Sequence, residues 1–181
     1  MSGHSHWHSI RHKKAITDSR RGKLFSMLSR AITIAAKNKG GDPESNPALR
    51  TAIEKAKQAN MPNDNIEKAI KKGTGEIEGA QMEEFTYEAY GPSGVAIIIE
   101  GITDNKNRAL SEIKHILSQH NSKMAAAGSV VYQFDKTNDG WDPKYPFSVA
   151  DDKTKEQIIK LFEALDEQDD VADIYSNAEN L

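Results

Sequence analysis

The sequence predicts an α+β protein in two parts: three helices, then a unit with the element order β-α-β-β-α-β preceded by one extra strand. Three observations predict it. Apolar residues up to about Gly73 recur at helical spacing, and from Phe85 onward they alternate or run on as in strands. Formal charge divides at the same place. Residues 1–75 hold 15 Lys+Arg and 6 Asp+Glu, whereas residues 76–181 hold 9 Lys+Arg and 21 Asp+Glu. A split of that size sets one half toward a polyanion and the other away from it.

Residues 1–12 are polar, with Gly3 and alternating histidines, and read as extended chain. A long helix follows, from about Lys13 or Asp18 to Asn38. Leu24, Leu28, Ala31 and Ala35 share one of its faces, Phe25 and Ile32 widen that face, and Gly40-Gly41 closes it. Arg20, Arg21, Lys23 and Arg30 fall mostly off that stripe, toward water or a partner. Asn46 suits an N-cap and Pro47 a first helical position, so a second helix runs to about Ala59 with Leu49, Ala52, Ile53 and Ala56 inside. Asn60-Met61-Pro62 breaks it. A third helix carries Ile66, Ala69 and Ile70 and stops at Gly73.

The expected domains are a basic helical domain over 1–75, a linker over 76–82, and an α/β domain over 83–181. In the latter, Phe85 and Tyr87 alternate with polar residues as in a half-buried strand. Tyr90-Gly91-Pro92-Ser93-Gly94 turns the chain into Val95–Ile99, a continuous apolar run of the kind a central strand needs. A helix over about Asn105 to His120 buries Leu110, Ile113, Ile116 and Leu117. Strands are expected at Ser129–Phe134, Pro146–Val149 and Val171–Tyr175, with a loop at Asp135–Lys144. A last helix is capped by Asp151 or Asp152. From the Val95 strand onward this is the split βαβ order of ferredoxin-like sandwiches, with the Phe85 strand as an extra hairpin partner.

Composition excludes several classes. The chain of 181 residues has no cysteine, which removes disulfides, thiol nucleophiles and Cys-based zinc sites and fits a reducing cytoplasm. It has no apolar run long enough to span a bilayer, and its start has no apolar segment of the secretory type. The segment that stands out is the first 39 residues, with nine Lys or Arg against one acid, Asp18. Cations in that density neutralise phosphates and release counterions, and an interleaved aromatic ring adds stacking on exposed bases. The candidate nucleic-acid-binding residues are therefore Trp7, Arg11, Lys13, Lys14, Arg20, Arg21, Lys23 and Arg30. This pattern marks a polyanion without choosing DNA or RNA.

Other constellations carry less. His4, His6 and His8 alternate but lack a carboxylate or fourth ligand nearby, so no metal site and no cofactor are expected. Asp166, Glu167, Asp169, Asp170 and Asp173 read as a solvated acidic patch, or as a face for a protein partner. Gly73-Thr74-Gly75 and Gly91-Pro92-Ser93-Gly94 match no phosphate-binding fingerprint and read as turns. Thr103-Asp104-Asn105-Lys106-Asn107-Arg108 reads as a helix cap, with an anion contact at Asn107 and Arg108 as the alternative. No nucleophile–base motif occurs, which speaks against an enzyme.

Several stretches resemble YebC-family proteins. They are Gly3-His4-Ser5 with Trp7, Ile10-Arg11-His12-Lys13-Lys14, Arg21-Gly22-Lys23, Gly40-Gly41-Asp42-Pro43, Asn60-Met61-Pro62, Lys71-Lys72-Gly73-Thr74-Gly75, Tyr87-Glu88 with Tyr90-Gly91-Pro92, Thr103-Asp104-Asn105 with Asn107-Arg108, and Gly128-Ser129-Val130. That family is similar to the mitochondrial translational activator of cytochrome oxidase. The resemblance implies a helical domain followed by ferredoxin-like modules. It further implies a DNA-binding transcriptional regulatory protein or, alternatively, a ribosome-associated factor that binds RNA and relieves stalling. A protein-interaction module with a basic docking patch is the third reading. Usual members carry one more α/β module between the strand matching Ser129–Phe134 and the segment matching Trp141-x-Pro143. Here only Asp135–Gly140 bridges that gap, so a short member lacking that module is expected.

Overall fold

The computed structural model describes residues 18–181. Among these, residues 18–83 together with 102–105 form one compact unit, and residues 84–101 with 106–181 form another.

The first unit is helical: α1 (Asp18–Lys39), α2 (Pro47–Gln58) and α3 (Asn63–Thr74). Its junctions are chemically specified. Asn46 is the N-cap of α2, and its Oδ1 accepts from the Leu49 amide at 3.1 Å. Its Nδ2 donates to the carbonyls of Ala35 and Gly40, both at 2.8 Å. One buried amide thus satisfies orphan groups at the end of α1 and the start of α2. At the other junction, Met61 is core rather than a mere breaker, and its amide reaches the Ala56 carbonyl at 2.9 Å. The core joins Ile32, Ala35, Ala36, Leu49, Ala56, Met61, Ile66 and Ala69, with Phe25 and Leu28 packed at its border. Helices α1 and α3 touch at backbone distance. The Thr33 hydroxyl donates to the Ala69 carbonyl at 3.1 Å, and a Cβ on Gly73 would lie 2.7 Å from that of Ala36. Gly75 at φ +80 ends α3 in the left-handed conformation, and the Glu76 amide closes on the Lys71 carbonyl at 2.9 Å.

The second unit is built on a sheet. Its elements are β1 (Glu83–Tyr90), β2 (Ala96–Thr103), α4 (Lys106–Gln119), β3 (Lys123–Met124), β4 (Phe134–Thr137), β5 (Gly140–Pro143), β6 (Phe147–Ser148), α5 (Asp152–Glu167), β7 (Val171–Ser176) and β8 (Ala178–Glu179). The four-stranded sheet has the order β3-β1-β2-β7. β3 runs antiparallel to β1, and β7 antiparallel to β2. The extra N-terminal strand is therefore internal: β1 fills the slot between β2 and β3, the two strands joined by the crossover helix α4. β2 is buried on both faces, which explains its unbroken apolar run. Ile97 and Ile99 pack under Ile113, Leu117, Ile158, Leu161, Phe162 and Leu165 of α4 and α5. Ala96 and Ile98 pack on the other side against Val130, Phe134 and the half-buried Trp141 and Tyr175. A bulge at Glu100/Gly101 is possible because Gly101 has no Cβ; one would collide with the Asp170 carbonyl and the Phe85 ring.

Two segments depart from the sequence reading. Ser129–Phe134 is not a strand but a turn and a short 3-10 helix over Val131–Gln133, with pairing beginning only at Phe134. The buried carboxylate of Glu88 captures its amides: Gly128 at 2.6 Å, Val130 at 2.6 Å and Val131 at 2.9 Å. An amide held by a side chain cannot join a ladder. The expected loop Asp135–Lys144 is instead the β4–β5 hairpin, pairing Phe134 with Pro143 and Lys136 with Trp141. The strand expected at Pro146–Val149 exists as β6 but pairs in parallel with β8, outside the main sheet.

Candidate nucleic-acid interface

The candidate surface begins with the length of α1. At 1.5 Å per residue its 22 residues span about 33 Å, while the 12-residue α2 and α3 span about 18 Å each. Asn46 fixes the start of α2 beside the C-terminal end of α1. The two short helices therefore cover only the C-terminal part of α1. Its packed residues accordingly begin at Phe25 and Leu28, and the first turns extend beyond the core.

Arg20 and Arg21 stand on that extension, Arg21 exposed and Arg20 half-buried. Neither pairs with a carboxylate among the described residues. The same holds for Lys37 and Lys39 at the far end of the helix, where Lys37 only meets the Gln81 side-chain oxygen at 3.4 Å. Lys23 and Arg30 are placed differently from the sequence reading. They share a stripe with Met27 and Ile34, both buried, rather than an open polar face. Arg30 Nη1 donates to the Ile102 carbonyl at 2.8 Å, so part of its guanidinium holds backbone. Trp7, Arg11, Lys13 and Lys14, and the histidines His4, His6 and His8, lie outside the described residues.

Several cations of the α/β unit meet carboxylates of the same unit. Arg108 Nη2 lies 2.8 Å from Asp170 Oδ2, Lys136 2.8 Å from Glu100, Lys144 3.1 Å from Asp135, and Lys160 2.7 Å from Glu156. The Asn105 amide bonds the Thr103 hydroxyl at 3.0 Å, in keeping with the cap expected at this helix start, and Arg108 is a staple from the start of α4 to a buried carboxylate. One expectation changes here. Asp170 is not part of a solvated acidic patch: it is fully buried, and Gln168 Nε2 also approaches it at 3.4 Å. Glu88 escaped the sequence reading because a strand glutamate ordinarily faces water; its three amide partners lie some forty residues away in sequence.

Among the described residues no group of three or more His, Asp or Glu side chains could hold a metal ion, and no helix is long and apolar enough to cross a membrane.

Comparison with known proteins places the chain. Residues 5–76 match the family model described as the TACO1/YebC protein N-terminal domain, and residues 82–139 match that of the TACO1/YebC second and third domain. A protein of Desulfosudis oleivorans named "Probable transcriptional regulatory protein" is 43% identical, covering 98% of this chain and 96% of its own. That alignment runs over 237 positions, so the relative holds residues with no counterpart in these 181. A protein of the same name from Persephonella marina is 47% identical over 100% of this chain and 75% of its own. The crystal structure of a conserved hypothetical protein from Aquifex aeolicus superposes with a TM-score of 0.88 at 37% identity, covering 97% of both chains. The chain belongs to the TACO1/YebC family.

Proposed function

We propose that this protein is a non-enzymatic, DNA-binding transcriptional regulator that acts in the cytoplasm and grips phosphates through α1 and the basic segment before it. The observation that carries the proposal is the contrast in how the two units use charge. In the α/β unit, Arg108, Lys136, Lys144 and Lys160 sit on carboxylates of the same unit. On α1, Arg20 and Arg21 stand beyond the helical core without a carboxylate partner among the described residues. Exposed guanidinium groups of this kind bond phosphate oxygens and release the counterions of a polyanion. The names of the relatives from Desulfosudis oleivorans and Persephonella marina support a role in transcription.

In this reading Arg20 and Arg21 make phosphate contacts, and Trp7, Arg11, Lys13 and Lys14 extend them. Lys23 contributes from the edge of the buried stripe, and Arg30 chiefly orients α1 through the Ile102 carbonyl. Phosphate contacts of this kind position the protein without reading sequence. The test is anisotropy of labelled duplex DNA titrated with the full chain, beside a single-stranded RNA of equal length. Tighter binding to the duplex, weakened at least tenfold by R20A/R21A, supports the reading. Tighter binding to the RNA reassigns the site to translation. Binding to neither overturns it.

A further inference from the structure

The last turn of α1 holds two exposed lysines, Lys37 and Lys39, at the end of the helix away from Arg20 and Arg21. The end of α3 meets them there. The Thr33 hydroxyl reaches the Ala69 carbonyl, and one turn later Gly73 lies against Ala36. The two helices therefore run side by side in the same direction. A Cβ on Gly73 would also lie 3.2 Å from the Lys37 amide nitrogen, and one on Gly41 2.8 Å from the Thr74 side chain.

The last turn of α3 brings Lys71 and Lys72 to this junction. With Lys68 they fall at i, i+3 and i+4, on the face opposite buried Ile66 and Ala69, and all three are exposed. Lys37 and Lys72 flank one short piece of chain. A Cβ on Gly79 would lie 3.3 Å from the stem of Lys72, and Lys37 Nζ lies 3.4 Å from Gln81 Oε1.

The acids on the adjoining turns do not neutralise these lysines by direct contact. Asp42 accepts from the Glu44 amide and the Ser45 hydroxyl, both at 3.0 Å, and Glu76 accepts from the Thr74 hydroxyl at 2.9 Å. Asp64, Glu67 and Glu78 are exposed and pair with no lysine among the described residues. Each helix C-terminus carries about half a negative charge, so the two ends together offset about one ammonium group. The others are left to water.

We infer that Lys37, Lys68, Lys71 and Lys72, with Lys39, form a second phosphate-contact patch for the nucleic acid that α1 meets at Arg20 and Arg21. The inference rests on the nucleic-acid reading and extends it to the opposite end of the helical unit. The 16 residues from Arg21 to Lys37 rise about 24 Å along α1, and each strand of a duplex carries a phosphate about every 3.4 Å of axis. A duplex of more than about seven base pairs is thus needed to touch both ends, and holding one molecule at two places raises affinity through effective concentration.

The test compares K37Q/K72Q with the parent on two labelled DNA hairpins. A stem of six base pairs spans about 20 Å and one of twenty about 68 Å. The expected result is about tenfold weaker binding of the long stem and at most about a twofold loss on the short one. K37R/K72R retains the parent's affinity for both, because the charge remains. K114Q/K153Q removes two exposed lysines of the α/β unit and leaves long-stem affinity within about twofold of the parent. Equal losses on the two stems, or a long-stem loss matched by K114Q/K153Q, overturns the patch as general charge. R20A/R21A separates this inference from the reading beneath it. If R20A/R21A weakens binding and K37Q/K72Q does not, the patch falls and the grip of α1 stands; if neither weakens it, both fall. Binding of poly-glutamate that exceeds binding of the long stem and is lost in K37Q/K72Q overturns the choice of nucleic acid.

Discussion

Replacing Glu88 by Gln keeps the shape of the side chain and removes its charge. In the native arrangement Oε1 accepts from the Gly128 amide, and Oε2 accepts from the amides of Val130 and Val131. The amide variant has one oxygen. Its better orientation keeps that oxygen on Val130 and Val131 and turns its NH2 toward Gly128, where two donors then face each other. Hydrogen bonds to a charged group contribute about 1.5–3 kcal/mol and neutral ones about 1, so two weakened bonds and one lost bond sum to roughly 3–4 kcal/mol. Relief of the buried carboxylate's desolvation offsets part of that, and Gly128 is exposed enough for water to serve its amide. The net expectation is about 2 kcal/mol, carried locally by 126–131. Amide exchange reads it residue by residue: protection at Val130 and Val131 falls about thirtyfold, while protection at Ile97 and Ile99 in β2 changes much less. Protection at Val130 and Val131 that is unchanged by E88Q would refute the claim that this carboxylate keeps Ser129–Phe134 out of the sheet.

Further outcomes follow from other buried contacts. Asn46→Ala strips a cap and leaves the Gly40 carbonyl without its side-chain donor, which destabilises the helical unit by about 2–3 kcal/mol in urea unfolding. Gly73→Ala drives a methyl into the Thr33 carbonyl and the Ala36 side chain. It forces α1 from α3 at a cost of about 2 kcal/mol or more, whereas Gly22→Ala, with open space around it, stabilises slightly. The Asp151 carboxyl is held below its usual range by its hydrogen bonds with Thr154. Its folded pKa is depressed, so its capping contribution is present above the ordinary carboxylate pKa and is lost as pH falls through the lower folded value. Thr154 amide exchange quickens over that acidic window, and Asp151→Asn abolishes the pH dependence.

How much was legible in the sequence follows from how local each cause is. Asn46-Pro47 opening α2 and Asp151 capping α5 are signals within four residues of their effects, and each lies where the sequence places it, whereas α3 runs through the expected stop at Gly73 to Thr74 and is capped by Gly75. The continuous Ile97-Ile98-Ile99 run announced a strand buried on both faces. Ser129–Phe134 misled because its Val130-Val131-Tyr132 composition favours a strand, while the group that overrides it, Glu88, arrives through the fold. The β4–β5 hairpin was hidden by the Lys, Asp and Pro that surround it, although Asn138-Asp139-Gly140 between Lys136 and Trp141 is a turn signal of the right kind. The site was legible as charge but not as geometry. A count of cations cannot separate Arg21 in water from Arg30 bonded to the Ile102 carbonyl, because that distinction rests on the second buried stripe of α1. The hairpin also bears on the shortened architecture. The match to the second and third domain of the family ends at residue 139, within its Asn138-Asp139 turn.

The central claim is that α1 grips a phosphodiester backbone, and the dependence of affinity on salt tests it most directly. Binding of duplex DNA by the full chain is measured from low to moderate salt for the parent and for R20A/R21A. Each phosphate contact contributes about 0.9 to the slope of log K against log salt. The account predicts that the double variant flattens the slope by about 2, while R30A, which chiefly disturbs helix placement, flattens it by less than 1. A slope identical in the parent and R20A/R21A would contradict the account.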